Sequence, residues 1–477
     1  MKNLYLVYDY LGPSEFFYNS TNPELVKNYF KYNLEFHKDV DDKIFFDKNV
    51  NTNSSQNIFF EDIQSIHISD LNKFNYKDKN NTFLYFISTG GRNEISLGIK
   101  TTSSVFQFIS KKYINYLTLD NFYICINFGL EHEMPSKYFS QIYKELQSIN
   151  VSPTKLWILS NNFKNIENNQ LFLNKFNLKN ISKINFIVFY EQLRTKATEL
   201  LDKSTDLQSE SDIHLEKKKY ALILNRRLHL HRLMFLGLLI NDGLLDKNLV
   251  SFDIDFDLDR FYDLKNSFEN HSYINVDMYF QKSDYDINKI SNSYYFKIKN
   301  GINKIEKIRK KILDVTDFNN IEGRPKELDD VNLYKDTNFS LVAETEFFER
   351  FGGSLTEKIL KPIQQLHPFV ILGPTGSLKY LKSYGFKTFS DFWDESYDDE
   401  LIHSKRLLKV YETFSTLCNK SKKEWMELNK SLQTILIHNR NHLKNFSYKN
   451  DEIIFKNLKK YLQDENNTEN TKLLQTP

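Results

Sequence analysis

The chain has 477 residues, 40% of them hydrophobic and 15% aromatic, with 64 basic against 62 acidic side chains. That length exceeds one ordinary core and predicts two large domains, while the apolar share excludes a disordered chain. A formal charge of +2 excludes a chain-wide attraction to nucleic acid or to an anionic membrane, so nucleic acid is disfavoured as a partner and only a local patch could serve it.

Only Cys125 and Cys418 are present. Their separation gives no disulfide framework, which points to a reducing compartment and a cytoplasmic chain. The N-terminal run "MKNLYLVYDYLGPSEFF" turns polar early. No window reaches the ~18 apolar residues of a spanning helix, so no membrane span is expected.

In chain order, "LYLVYDY" reads as an opening strand, and short aromatic runs broken by Asn- and Asp-rich turns follow it. A clear alternation then begins: "NFYICINF" as strand, "SKYFSQIYKELQSI" as helix, "KLWILSNN" as strand, "NNQLFLNKFNL" as helix, "KINFIVFYE" as strand. A βαβαβ series implies a parallel sheet with covering helices. Residues 1–200 are therefore expected as a first Rossmann-like domain. The charged, Ser-bearing run "KATELLDKSTDLQSESDIHLEKKK" marks a boundary, with 201–219 read as a linker.

A second series opens at "YALILNR" (strand), "LHRLMFLGLLINDG" (helix, apolar all round) and "KNLVSFDI" (strand). An irregular insertion is expected from about Asp257 to Lys335. After it come "NFSLVAE" (strand), "TEKILKPIQQL" (helix), "PFVILG" (strand) and "SLKYLKSYG" (helix). Residues 220–400 thus form a second Rossmann-like domain. Two amphipathic charged helices fill 401–466, and 467–477 reads as a frayed tail.

Sites in open parallel sheets lie beyond the carboxyl ends of the strands. Three such places carry chemistry. After "YALIL" stand Asn225, Arg226 and Arg227, then His229, His231 and Arg232. After "NFSLVA" stand Glu344 and Glu346. The run Gly352-Gly353-Ser354-Leu355-Thr356 then opens a helix at Glu357 and Lys358. Thr356 is a good N-cap, and the Lys358 ammonium beside free amides suits a diphosphate. Glu357 suits the two hydroxyls of a ribose. Arg232, about two helical turns into the preceding strand–helix unit, adds a bidentate phosphate partner. The same residues are also ordinary helix-start chemistry, and a solvated strand end also accounts for the arginines.

Two other motifs are weaker. Gly373 to Lys379 imitates the phosphate loop of nucleoside triphosphatases, but Leu378 replaces the second Gly and Tyr380 the small hydroxyl, so the imitation fails. "DIDFDLD" holds Asp-x-Asp pairs at Asp253 and Asp255 that could bind manganese, and its period of two equally describes a half-exposed strand.

"FGGSLTEKILKPIQQLHPFVILGP", after a strand ending in "AETEF" and with "ILNRRLHLHRLMFLGLLI" upstream, resembles the donor-binding domain of GT-B glycosyltransferases of the alpha-1,3-fucosyltransferase kind. The unit down to "GFKTFSDFWDESYD" is also similar to glycosyltransferase-like proteins of phages and large viruses, which would place a viral chain in the host cytoplasm. The likeness spans about Tyr220 to Asp398, with Thr356-Glu357-Lys358 its sharpest part.

The resemblance implies a GT-B fold, two Rossmann-like domains facing across a cleft with C-terminal helices. It further implies a nucleoside diphosphate sugar as donor, guanosine-linked, and a glycan or other hydroxyl acceptor. Transfer is expected to invert the sugar with no obligatory cofactor, manganese or magnesium being possible. By position, Glu357 matches the ribose acid, Lys358 and Arg232 the phosphate partners, and Asn225 a neighbour of the donor; Arg226, Glu344, Glu346, Gly353, Ser354 and Thr356 complete the expected donor site. The family's Glu-Asn is here Glu344-Thr345-Glu346, and its aromatic loop is Gly352-Gly353-Ser354, so fucose itself is not carried over. The base that takes the acceptor's proton is expected in the N-terminal domain, where Glu131 and Glu133 follow one strand and Asp9 follows another. Alternatives are a DNA-base-modifying viral glycosyltransferase and a non-catalytic protein on the same scaffold.

Overall fold

The computed structural model describes residues 3–8, 64–88, 111–128, 139–178, 181–188, 207–225, 228–252, 258–269, 290–308, 331–347 and 353–463. They belong to two units, one of residues 1–194 with 447–476, the other of residues 195–446. Both are α/β. Among the described residues no helix is long and apolar enough to cross a membrane.

The first unit holds a six-stranded sheet of β1 (Asn3–Tyr8), β2 (Gln64–His67), β3 (Asn81–Ser88), β4 (Phe122–Phe128), β5 (Leu156–Ser160) and β6 (Asn185–Val188), in the order β2-β1-β3-β4-β5-β6. Every pairing is parallel. Strands covered on both faces read as continuous apolar runs, and Phe122, Ile124, Cys125 and Ile126 are accordingly all buried. Tyr5, Phe83 and Phe122 stack across three neighbouring strands, with ring centroids 5.1 and 4.6 Å apart. The Asn-rich turns have a structural use: the Asn121 amide donates to the carbonyls of Tyr76, Asp78 and Asn81. Helices α1 (Lys111–Ile114), α2 (Phe139–Ser148) and α3 (Asn165–Lys175) link the strands.

The second unit holds a four-stranded sheet of β7 (Lys219–Asn225), β8 (Leu249–Phe252), β9 (Thr337–Ala343) and β10 (Phe369–Leu372), in the order β10-β9-β7-β8 and again all parallel. From β7 the chain runs to β8 on one side, and the next strand, β9, returns to the other side of β7. The carboxyl ends of β7 and β9 therefore flank a topological switch point, where such sheets bind ligands. The helices are α4 (Leu230–Asn241), α5 (Leu258–Glu269), α6 (Asn292–Ile308), α7 (Val331–Lys335), α8 (Leu360–Gln364), α9 (Ser377–Ser383), α10 (His403–Cys418) and α11 (Lys422–Gln463), the last belonging to this unit up to Phe446.

Two sequence expectations change here. The stretch 257–335 is not irregular throughout, since it supplies α5, α6 and α7. Its helical signal is a narrow stripe, Ile298, Ile302 and Ile305, embedded in Asn and Lys, and that stripe is buried. The run 201–219, read as a linker, is folded onto the second unit over 207–219. There the Gln208 amide donates to Gln365 Oε1 at 2.9 Å, and Lys217 Nζ donates to the Asp212 carbonyl at 2.7 Å.

Apolar on every side, α4 needs partners on every side. Phe235 meets Tyr411 and Phe414 of α10 edge-on, with centroids 5.5 and 5.2 Å apart. Gly237 and Gly301 bring α4 and α6 into backbone contact: a Cβ on Gly301 would lie 1.8 Å from the Gly237 carbonyl oxygen. Only glycine permits that approach.

Buried His367 braces the amino end of the sheet. Its Nδ1 pairs with Ser340 Oγ at 2.8 Å and its Nε2 with the Thr337 carbonyl at 2.9 Å. The latter bond makes Nε2 the protonated nitrogen of a neutral ring, so Nδ1 accepts from Ser340. Burial pulls its pKa down to about 3.

We predict that Gly301→Ala destabilises the protein by about 1–3 kcal/mol, the usual range for an overpacked contact, in urea titration. Asn300→Ala, exposed on the same helix, should change little. A second prediction concerns pH. Burial also lowers the pKa of His231. The unfolded chain protonates both imidazoles near pH 6.5, whereas the folded unit resists protonation until much lower pH, so stability must fall as pH falls. His367 should cost about 2 kcal/mol between pH 7 and pH 5, and His231 acts in the same direction. Thermal unfolding across that range should show the decline, and His367→Gln should flatten it.

Candidate functional site

The site grows from the ends of β7 and β9. β7 finishes at Asn225, whose side chain is buried, and Arg226 lies outside the described residues. The chain then enters α4, whose first turn carries His231 and Arg232, both buried. Arg232 thus stands in the first turn, not two turns in. Its Nη2 donates to the carbonyls of Ala343 and Glu344 at 2.8 and 2.9 Å, and His231 Nε2 lies 3.0 Å from the same Glu344 oxygen. The His231 ring stacks on Phe347, with centroids 5.1 Å apart. Burial pulls the Arg232 pKa down to about 10, opposed by the negative charges of Glu344 and Glu357. The guanidinium is therefore a clamp on the last carbonyls of β9.

The Glu344 side chain is fully buried, and both its oxygens are taken by Thr356. Oε2 accepts from the Thr356 hydroxyl at 2.6 Å and Oε1 from the Thr356 amide at 3.3 Å. Burial raises the Glu344 pKa, while Lys358 and the Thr356 hydroxyl bond oppose the rise. Thr356 Oγ1 in turn accepts from the Lys358 amide at 3.3 Å and from Lys358 Nζ at 3.0 Å. The ammonium also reaches Thr345 Oγ1 at 3.2 Å and lies 3.7 Å from Glu357 Oε1. Glu357 and Lys358 remain partly exposed, at 40% and 30% of their side chains.

The run expected as one helix from Thr356 is shorter: a single 3-10 turn, Glu357–Ile359, leads into the five residues of α8. Its dipole is correspondingly weak, so positive charge at this place comes mainly from Lys358. Gly353, Ser354 and Glu346 are buried beside it. Among the described residues, Asn225 Oδ1 and Ser354 Oγ are buried without a hydrogen-bond partner. Buried polar atoms in native proteins are nearly always satisfied, so such atoms at a strand-end switch point suit a ligand.

The imitation phosphate loop is closed by the protein itself. Asp398 accepts from the amides of Leu378 and Lys379 at 2.9 and 3.0 Å, so a carboxylate fills the place a phosphate would take at α9. Sequence reasoning missed Arg406, which α10 buries at 2% exposure. Its guanidinium donates to the carbonyls of Gly373, Glu400 and Phe347 and to Thr375 Oγ1. It also lies 4.5 Å from the centre of the Phe347 ring. An arginine within the apolar stripe of an amphipathic helix was the available signal.

The expected bases Asp9, Glu131 and Glu133 lie outside the described residues, as do Gly352, Asp253 and Asp255. The strands before the bases end at Tyr8 and Phe128. The chain matches no protein-family model, and comparisons with curated proteins and with solved structures likewise return no match.

Thr356→Val should cost about 1–3 kcal/mol of stability, because it removes the hydroxyl donor from a buried carboxylate. Thr356→Ser should restore most of that loss. Equilibrium urea unfolding at neutral pH measures both.

Proposed function

We propose that the second unit binds a nucleoside diphosphate sugar and that the chain is a glycosyltransferase acting on a glycan or other hydroxyl acceptor. The supporting observation is the pairing of partly exposed Glu357 and Lys358 at the switch point, beside the unpartnered Asn225 Oδ1 and Ser354 Oγ. An ammonium next to a carboxylate suits a ligand that carries an anionic diphosphate and a neutral ribose. In this reading Lys358 takes the diphosphate, and Glu357 accepts both ribose hydroxyls. Ser354 and Asn225 complete the polar contacts.

Arg232 changes role. Its Nη2 is held by strand-end carbonyls, so it positions Glu344 and adds positive potential; direct phosphate binding falls to Lys358. Glu344, through Thr356, fixes where the Lys358 ammonium stands. The donor is proposed as guanosine-linked, following the resemblance.

In an inverting displacement the acceptor oxygen attacks the anomeric carbon, the bond to the diphosphate oxygen breaks, and the acceptor's proton passes to a base. Glu131, Glu133 and Asp9 are the proposed candidates for that base. The two cations, Lys358 and Arg232, let the leaving diphosphate be stabilised without an obligatory metal; Asp253 and Asp255 are the residues that manganese or magnesium would use otherwise.

Titration calorimetry with GDP, UDP and their sugar conjugates, in the presence of a chelator, tests this. Lys358→Ala should weaken nucleotide binding by about 1.5–3 kcal/mol, the range for a charged hydrogen bond. Equal affinity in wild type and variant, or no heat from any nucleotide, would sink the reading.

A further inference from the structure

The Lys358 ammonium is only partly engaged by the protein. It donates to Thr345 Oγ1 at 3.2 Å and to Thr356 Oγ1 at 3.0 Å, which takes two of its three protons. Glu357 Oε1 lies 3.7 Å away, near enough to attract the charge and too far for a hydrogen bond. Among the described residues the third proton therefore meets no hydrogen-bond acceptor.

The two hydroxyls that hold the ammonium differ. Thr356 gives its own proton to Glu344 Oε2 at 2.6 Å. Thr345, half-buried, accepts from Lys358 and donates to none of the described residues. A phosphate oxygen that reaches Lys358 can thus take two donors, the ammonium and the Thr345 hydroxyl.

Donors alone would make a general anion site, open to inorganic phosphate and pyrophosphate. Glu357 prevents that. Its carboxylate stands beside the same ammonium, is 40% exposed, and sets its negative charge against Arg232 as well. An anion approaching Lys358 meets that charge directly. At a half-exposed place, like charges a few ångströms apart weaken binding by about threefold to tenfold.

A ligand offsets this repulsion when it brings hydroxyls for the carboxylate as well as phosphate for the ammonium. The two neighbouring hydroxyls of a ribose both donate to one carboxylate. Glu357 then exchanges Lys358 for the sugar, and the diphosphate takes its place at the ammonium. Phosphate without the sugar leaves the carboxylate where it is, opposed to the bound anion.

We propose that Glu357 is a specificity-determining residue of this site: it holds inorganic phosphate and pyrophosphate off Lys358 and favours a diphosphate that carries a ribose diol. The inference rests on the nucleotide-binding reading of Glu357 and Lys358, and adds to it the rejection of ligands that have phosphate and no diol.

The test is titration calorimetry of the full chain with pyrophosphate, GDP, UDP and the 2′,3′-dideoxy forms of both nucleotides, with a chelator present throughout. Wild type should bind a ribonucleotide well, and pyrophosphate and the matching dideoxynucleotide far more weakly. Glu357→Gln, isosteric and partly exposed, should tighten pyrophosphate and the dideoxynucleotide by about threefold to tenfold. The same variant should weaken the ribonucleotide by about tenfold. Opposite signs separate selectivity from damage, because a variant that only disturbs the turn weakens every ligand. Thr345→Val supplies that contrast: it removes a phosphate donor and a support of Lys358, so pyrophosphate and ribonucleotide should weaken together. Should the glutamine variant melt below wild type, Glu357→Ala removes the charge by another route and should give the same two signs. Wild type binding pyrophosphate as tightly as the ribonucleotide, or Glu357 variants with unchanged or weaker pyrophosphate binding, would overturn the selectivity; Lys358-dependent ribonucleotide binding would then still stand. No binding of any nucleotide to wild type would overturn both.

Discussion

At the carboxyl end of β9 a guanidinium and a carboxylate are both taken out of water around one residue, Glu344. Its main-chain oxygen accepts from Arg232 and pairs with His231, while its side chain is held by Thr356. Deleting one partner of such a buried hydrogen bond leaves the other group unsatisfied, at a cost of about 1–3 kcal/mol and more where that group is charged. That penalty fixes the start of α4, the end of β9 and the turn before α8 relative to one another. The partly exposed Glu357 and Lys358 inherit their positions from it.

The packing around this point serves to keep it dry. α4 is covered by α6 through the Gly237–Gly301 approach and by α10 through Phe235, Tyr411 and Phe414. Arg406 donates to the carbonyls of both Phe347 and Gly373, so one side chain ties the segments leaving β9 and β10. Rigid support below and partly solvated charge above is the arrangement that lets a binding group meet a ligand without reorganising.

Both units repeat one topological device with opposite chemistry. β2-β1-β3-β4 in the first sheet and β8-β7-β9-β10 in the second follow the same order relative to the chain. In the second unit the strand ends carry buried and half-exposed charge, suited to an ionic ligand. In the first, the end of β5 carries a buried hydroxyl and neutral amides, Ser160, Asn161 and Asn162. A common backbone plan thus presents different polar groups, because strand-end residues lie outside the ladder and are free of its apolar requirement.

The alternation of apolar strand runs and helix-period segments by itself determined that both units are parallel α/β, since such strands must be apolar on both faces and their connections must carry helices. It also determined that Thr356 caps the turn at Glu357, because capping is a local bond between near neighbours. It did not reveal α6, whose stripe of Ile298, Ile302 and Ile305 is too narrow to stand out until Gly301 meets Gly237. Nor did it show that Arg232 faces carbonyls or that Asp398 closes the α9 amides. Those outcomes depend on groups from 20 to more than 100 residues apart. Only the tertiary structure decides them, because hydrogen-bond partners and solvent exclusion are set by packing and not by neighbours along the chain.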